Sequence, residues 1–358
     1  MINVTKAYMP NVEKYKSYVD KVFESGWLTN RGVLLQELER RLATYLNVKN
    51  VVLVANGSLA LQICYKALGI KGKAITTPFS FAATASTLNW EGIEPIFSDI
   101  DPLTFNLCPD SLSHENLQSA SAIVPVHVFG NPCEVERYEE IARKYQLKVV
   151  YDAAHAFGVQ WKGKSVLEFG NASTVSFHST KLFHTIEGGA IITDDDELAA
   201  KCRKLINFGI TGPTTIEGQG TNAKMNELEA AMGLCVLDDI GYIVTERQRI
   251  WSYYEEMLRD YVAIQKWNEN SENNFAYAPI LFNNEETLLN VEQELKKNNI
   301  IPRRYFYPSL NMCEYTSTRY HCMNSESVAS RILCLPIYPN LDMGVCEKVV
   351  SIVKKFVV

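Results

Sequence analysis

A chain of 358 residues that is 47% hydrophobic can bury a sizeable core, and its length allows two domains or one with an appendage. A formal net charge of −6 without any Lys/Arg-rich run argues against nucleic acid as a partner, while leaving room for local basic patches. Nine cysteines without CxxC or metal-ligand spacing fit reduced thiols inside a cell, the Met1–Lys6 start lacks a leader pattern, and no apolar run approaches the ~20 residues of a membrane span, so the expectation is a cytoplasmic chain with no metal and no membrane partner.

In chain order, the first informative pattern is Val51-Val52-Leu53-Val54-Ala55, a strand that runs into Asn56-Gly57-Ser58 and an amphipathic helix from Leu59 to Leu68. Strand, glycine turn and helix N-terminus make an anion site. Gly57 lets the backbone approach closely, Ser58 can cap the helix and donate a hydroxyl, and the first free N–H groups carry the positive end of the helix dipole. An ordinary N-cap has the same pattern and is commoner. Strands over about 73–77, 94–98 and 121–128 follow, and 147–151 closes on Asp152, which opens Ala153-Ala154-His155-Ala156-Phe157-Gly158. In an open α/β sheet a carboxylate at a strand end faces the ligand crevice. His155 fits either that crevice or a core position satisfied by backbone.

The strand over 173–178 ends in Ser176-Phe177-His178-Ser179-Thr180-Lys181, and Glu187-Gly188-Gly189 turns into the strand 189–193. Lys181 thus sits at the rim of the sheet, where partial desolvation favours the nucleophilic free amine of a Schiff-base lysine. A lone lysine is ordinarily a solvated surface residue; Asp152 changes that reading. Pyridoxal phosphate acts as an electron sink when its ring nitrogen is protonated, and a buried carboxylate holds that proton. His155 then suits stacking on the ring or a hydrogen bond to its phenolic oxygen. Ser176 offers a second hydroxyl to the phosphate, or is a solvent-facing strand serine. For His178 a strand histidine satisfied by backbone is the preferred reading, and His184 faces either the substrate or solvent.

A glycine-bounded loop, Gly209–Gly220, precedes Asn222, and helical spacing from Met225 to about Leu258 gives one or two long helices leading away from the sheet. From about Asp260, short strands and helices mix. Tyr307 and Tyr338 precede prolines in turns that border the pocket or simply pack. Strand–helix alternation through residue 200 predicts an α/β fold with a mostly parallel seven-stranded sheet between helices, in a large domain over 1–240, followed by a linking helix and a smaller C-terminal α/β domain over 241–358.

Together, Ser25-Gly26-Trp27-Leu28-Thr29-Asn30-Arg31-Gly32, Asn56-Gly57-Ser58-Leu59-Ala60-Leu61, Thr77-Pro78-Phe79-Ser80-Phe81-Ala82-Ala83-Thr84, Val126-His127-Val128-Phe129-Gly130, Asp152–Gly158, Ser176–Gly189, Gly220-Thr221-Asn222-Ala223-Lys224-Met225 and Leu335-Pro336-Ile337-Tyr338-Pro339 closely resemble the DegT-type sugar-nucleotide aminotransferases of the fold-type I pyridoxal-phosphate superfamily. The resemblance spans nearly the whole chain. It implies Lys181 as Schiff-base lysine and proton shuttle, Asp152 as pyridinium partner, His155 as a ring contact and Phe81 as the stacking face. It gives Gly57, Ser58 and Ser176 to the cofactor phosphate, with Asn222 reaching the phosphate from the second subunit of a homodimer with shared sites. Lys224 departs from the usual arginine, so that contact does not transfer one for one; Lys224, His184 and Tyr307 are the substrate-side candidates.

The implied reaction transfers an amino group from L-glutamate to a nucleotide-linked keto-sugar. Within the family the compact length, the Met1–Pro10 start and Lys181-Leu182-Phe183-His184 look most like enzymes converting dTDP-4-keto-6-deoxyglucose to dTDP-4-amino-4,6-dideoxyglucose for polysaccharide antigens. A 3-keto-sugar or a UDP or GDP carrier is the alternative. A dehydratase on this fold would replace the lysine by histidine. A non-enzymatic regulatory relative would more often have lost Lys181, Asp152 or Asn222, and a Rossmann dehydrogenase would need GxGxxG where this chain has Ala55-Asn56-Gly57-Ser58-Leu59-Ala60.

Overall fold

The computed structural model describes residues 1–314 and 320–357. Its central sheet has seven strands: β1 (Asn50–Val54), β2 (Lys73–Thr76), β3 (Glu94–Phe97), β4 (Ala122–Val124), β5 (Lys148–Asp152), β6 (Ala172–Ser176) and β7 (Gly189–Thr193). Their spatial order is β1-β7-β6-β5-β4-β2-β3. Only β7 runs antiparallel to its neighbours, and the other pairings are parallel. These strands are apolar on both sides because both faces are covered. Val51, Leu53, Ile75, Ile123 and Val149 join one hydrophobic cluster, while Val52, Val54, Ala74, Ala122 and Val150 join the other.

The strand expected over 121–128 stops at Val124, since Pro125 has no N–H to continue the ladder. A single bridge pairs Val126 with Asp152 before a short turn in which Phe129 takes φ 58°. The helical stretch after Met225 is two helices, Glu227–Asp238 and Ile240–Leu258. Contrary to the sequence reading, the first does not lead away. It packs against the helices Val12–Ser25 and Val33–Leu46, so closely that a Cβ on Gly233 would lie 2.7 Å from a Leu38 methyl. The buried Glu227 carboxylate accepts from the N–H groups of Leu34 (2.8 Å) and Leu35 (3.2 Å), capping the second of those helices from outside.

Beyond Ile240, a three-stranded antiparallel sheet (Ala263–Ile264, Pro279–Leu281, Ile332–Cys334) and helices including Glu285–Lys297 and Met343–Val357 build a separate hydrophobic cluster. The start of the chain joins this part: Ile2–Asn3 pairs in parallel with Ile300–Ile301. Among the described residues no helix is long and apolar enough to cross a membrane.

Candidate active site

The carboxyl ends of β1, β5 and β6 open onto a cavity of about 360 Å³, where ligands bind in open α/β sheets. Lys181 reaches it from the loop between β6 and β7. Phe177, Leu182 and Phe183 on either side are buried, with Phe183 stacked on Phe157 at 4.7 Å, and this anchors the loop. Lys181 lines the cavity, and its Nζ donates to the Tyr277 hydroxyl at 3.1 Å. Burial pushes its pKa down to about 8, with the charges of Asp152 and Tyr305 opposing the shift.

Asp152 is 6% exposed. Its Oδ2 accepts from Thr84 Oγ1 at 2.7 Å and its Oδ1 from the Ala154 N–H at 3.2 Å. Burial raises its pKa, while Thr84, Ala154 and Lys181 hold it down. Ser80 lies 2.7 Å from Thr84 Oγ1; since the Thr84 proton goes to Asp152, Ser80 is the donor in that contact.

His155 is likewise buried. Its Nδ1 accepts from the Phe129 N–H at 3.1 Å, which puts the proton of the neutral ring on Nε2. Burial keeps its pKa well below the usual histidine range, and its ring lies nearly parallel to Phe129 and Phe306.

The helix Gly57–Leu68 starts beside the end of β6. A Cβ on Gly57 would sit 3.0 Å from Ser176 Cβ, and one on Gly189 only 2.7–2.9 Å from the backbone of Asn56 and Gly57, so both glycines permit the approach. The side-chain cap is Asn56, which accepts from the Leu59 N–H at 2.9 Å. Ser58 is therefore inside the first turn rather than the cap expected. Ser58 and Ser176 line the cavity on either side of this junction, and Phe81, 54% exposed, stands at its edge.

A buried carboxylate, a lysine with a depressed pKa and a hydroxyl-lined helix N-terminus around one cavity fit the ring nitrogen, carbonyl and phosphate of pyridoxal phosphate. A Cβ at Gly57 would crowd Ser176 and narrow this cradle.

Five sequence candidates fall outside the cavity. His184 is 2% exposed and doubly engaged: Nδ1 accepts from the Ile186 N–H at 3.3 Å, so Nε2 donates to the Tyr8 carbonyl at 2.7 Å. It pins the N-terminal segment and does not line the cavity. The Lys224 Nζ lies over the Phe208 ring at 5.2 Å, and Tyr307 stacks under the Arg304 guanidinium at 3.6 Å. Asn222 is exposed, bridged to Asn207. Tyr338 is buried in the C-terminal cluster. His178, expected as a backbone-satisfied strand residue, lies past the end of β6, lines the cavity and contacts Thr180 Oγ1 at 2.8 Å.

The sequence reading missed Tyr277, Arg303, Tyr305 and Phe306, which line the cavity from the C-terminal part. Nothing local marks them, because the approach is tertiary. Thr84 did lie in a quoted motif, but nothing in its spacing identified Asp152 as its partner.

The profile of the DegT/DnrJ/EryC1/StrS aminotransferase family matches residues 11–354. A Shigella dysenteriae protein named dTDP-4-amino-4,6-dideoxy-D-glucose transaminase is 39% identical over 361 residues, spanning 99% of this chain and 98% of its own. An Escherichia coli protein of the same name is 36% identical, spanning 98% and 97%. The structure of DesI, solved in the presence of its TDP-sugar product, superposes with a TM-score of 0.93 at 33% identity, covering 99% of this chain and 92% of its own.

Proposed function

The chain belongs to the DegT/DnrJ/EryC1/StrS aminotransferase family, and from that premise we propose that it transfers the amino group of L-glutamate to dTDP-4-keto-6-deoxy-D-glucose, giving dTDP-4-amino-4,6-dideoxy-D-glucose. It is a pyridoxal-phosphate-dependent sugar aminotransferase. The observation that carries the chemistry is the convergence of Lys181 and Asp152, from different strand ends, on one cavity floored by the Gly57–Ser176 junction. The acceptor sugar is supported by the names of the two bacterial transaminases and by the TDP-sugar of the DesI structure.

When bound, pyridoxal phosphate supplies a carbonyl that condenses with amines and a protonated ring that takes up electrons. The Asp152 carboxylate, held by Thr84 and Ala154, would keep the ring nitrogen protonated. Ser58, Ser176 and the first-turn N–H groups would hold the phosphate. His155 would donate from Nε2 to the ring's phenolic oxygen, and Phe81 would cover the ring. Lys181 would act as the base that takes the proton from the donor α-carbon and, in the second half, as the acid that places a proton on the sugar carbon. A pKa of about 8 leaves a working fraction of neutral amine near neutral pH.

Because Asn222 lies outside its own chain's cavity, we assign it to the phosphate of a second subunit, in a cytoplasmic homodimer with shared sites. The product would feed lipopolysaccharide O-antigen synthesis. Incubating the purified protein with glutamate and a panel of dTDP-, UDP- and GDP-linked 3- and 4-keto-sugars, with products identified by mass and NMR, tests the assignment. A 4-amino-4,6-dideoxyglucose on dTDP is expected; preferred turnover of another carrier or of a 3-keto-sugar would overturn it.

A further inference from the structure

We propose that Tyr277 is a further catalytic residue of this site: its hydroxyl holds the Lys181 amine in position and steadies the lysine's protonated form between proton transfers. This rests on the assignment of Lys181 as the proton-moving lysine. Lys181 Nζ donates to Tyr277 Oη at 3.1 Å across 96 residues of sequence. Tyr277 is itself wedged among rings, 4.6 Å from His155, 5.3 Å from Phe129 and 5.7 Å from Tyr305 by centroid.

The backbone leading to it is clamped from two sides. Asn274, 7% exposed, donates to the carbonyls of His155 (2.8 Å) and Phe157 (3.1 Å) and accepts from the Ala276 N–H at 3.1 Å. Arg247, 2% exposed on the helix Ile240–Leu258, donates to the carbonyls of Ala276 (3.1 Å) and Phe275 (3.5 Å). A buried arginine giving its charge to the two carbonyls before Tyr277 fixes that segment far more firmly than a loop requires. The same Asn274 ties it to the backbone of His155, so Tyr277 is registered to the cavity by a wall it shares.

Burial raises the Tyr277 pKa, so the hydroxyl keeps its proton and serves Lys181 as a neutral acceptor rather than a base. When Lys181 takes a proton from substrate carbon it becomes an ammonium, one of whose N–H groups stays on Tyr277; when it gives the proton up, the amine remains aimed. The other ionisable groups facing Lys181 are Asp152 and His155 from the sheet side, His178 and Glu187 from its own loop, and Arg303 and Tyr305 opposite. None of them has Tyr277's direct contact with Nζ.

Tyr277→Phe keeps the ring packing and removes the oxygen. Cofactor-free wild-type and variant proteins are mixed with pyridoxal phosphate, and the rate of capture is followed against pH, with borohydride reduction and peptide mapping to locate the label. Losing an acceptor that favours the ammonium lowers the capture midpoint, and a mispositioned amine lowers kcat by roughly ten- to a hundredfold with KM for glutamate little changed. A label on Lys181 in both proteins with an unmoved midpoint would overturn the role of Tyr277 alone. A label absent from Lys181 in the wild type would overturn the lysine assignment and this inference with it.

Discussion

Thr84 Oγ1 donates to Asp152 Oδ2 at 2.7 Å, and both side chains are buried. Because Ser80 in turn donates to Thr84, the carboxylate sits at the end of a hydroxyl chain that favours its ionised form against the burial that disfavours it. Thr84→Val keeps the shape and removes the donor, at a cost to the ionised carboxylate of about 2 kcal/mol. The expected result is a loss of kcat of roughly tenfold or more, with Thr84→Ser restoring most of it. Equal rates for the valine and serine variants would show that the hydroxyl does not act through Asp152.

Electron storage and phosphate grip are separable. Asp152→Asn removes the charge proposed to hold the ring proton, so single-turnover proton transfer should slow far more than cofactor affinity falls. Ser176→Ala, and Gly57→Ala, whose Cβ would come 3.0 Å from Ser176 Cβ, should weaken cofactor affinity more than they slow transfer. Equilibrium dialysis together with rapid-mixing rates distinguishes the two patterns. Finding all three variants impaired only in affinity would refute the division.

The site divides into what sequence spacing can and cannot convey. Lys181, Asp152 and Gly57 were readable because each lies at or a few residues beyond the end of an apolar strand, and strand ends in a parallel sheet share one rim. His184, three residues past Lys181, was misread because spacing in a loop does not give direction: the buried Phe183 anchors the loop and turns His184 toward the Tyr8 carbonyl. Lys224 and Tyr307 have cation–aromatic partners, Phe208 and Arg304, that an isolated residue does not reveal. Tyr277 meets the cavity only after the chain has built the sheet Pro279–Leu281 with Ile332–Cys334, a contact no local pattern encodes. The strand break at Pro125 was legible in principle, since a missing N–H ends a ladder, but the apolar run masked it.

Burial of the Lys181 amine comes at the expense of the fold. Its pKa falls from 10.5 to about 8 on folding, so below pH 8 the ammonium is buried in full, and the cost fades as pH rises from there toward 10.5. Lys181→Met should therefore raise the Tm of the cofactor-free protein at pH 7, by an increment worth on the order of 2 kcal/mol once partial solvent access to the cleft is allowed for. The gain should shrink at pH 9 to 10. Thermal scans of both proteins across that range decide it; a gain that grew with pH would have the wrong sign.

Shared sites have a stoichiometric signature. Lys181→Ala and Asn222→Ala proteins, each inactive alone, should recover up to about one quarter of wild-type activity after subunit exchange at equal amounts, since half the dimers are mixed and each mixed dimer has one intact site. Exchange is verified with differently tagged subunits, and Asn222→Ala must itself be severely impaired. Given both, absence of recovery would place Asn222 in its own subunit's service.

The central claim is that Lys181, facing Asp152 across the cavity, is the residue that joins the cofactor covalently. Borohydride reduction of the pyridoxal-phosphate-loaded protein followed by peptide mapping tests it most directly. The label is expected on the peptide carrying Lys181 and is expected to be lost in Lys181→Ala, with the cofactor still captured noncovalently by the Gly57–Ser176 cradle. A label recovered on any other lysine of the wild-type protein would contradict the account.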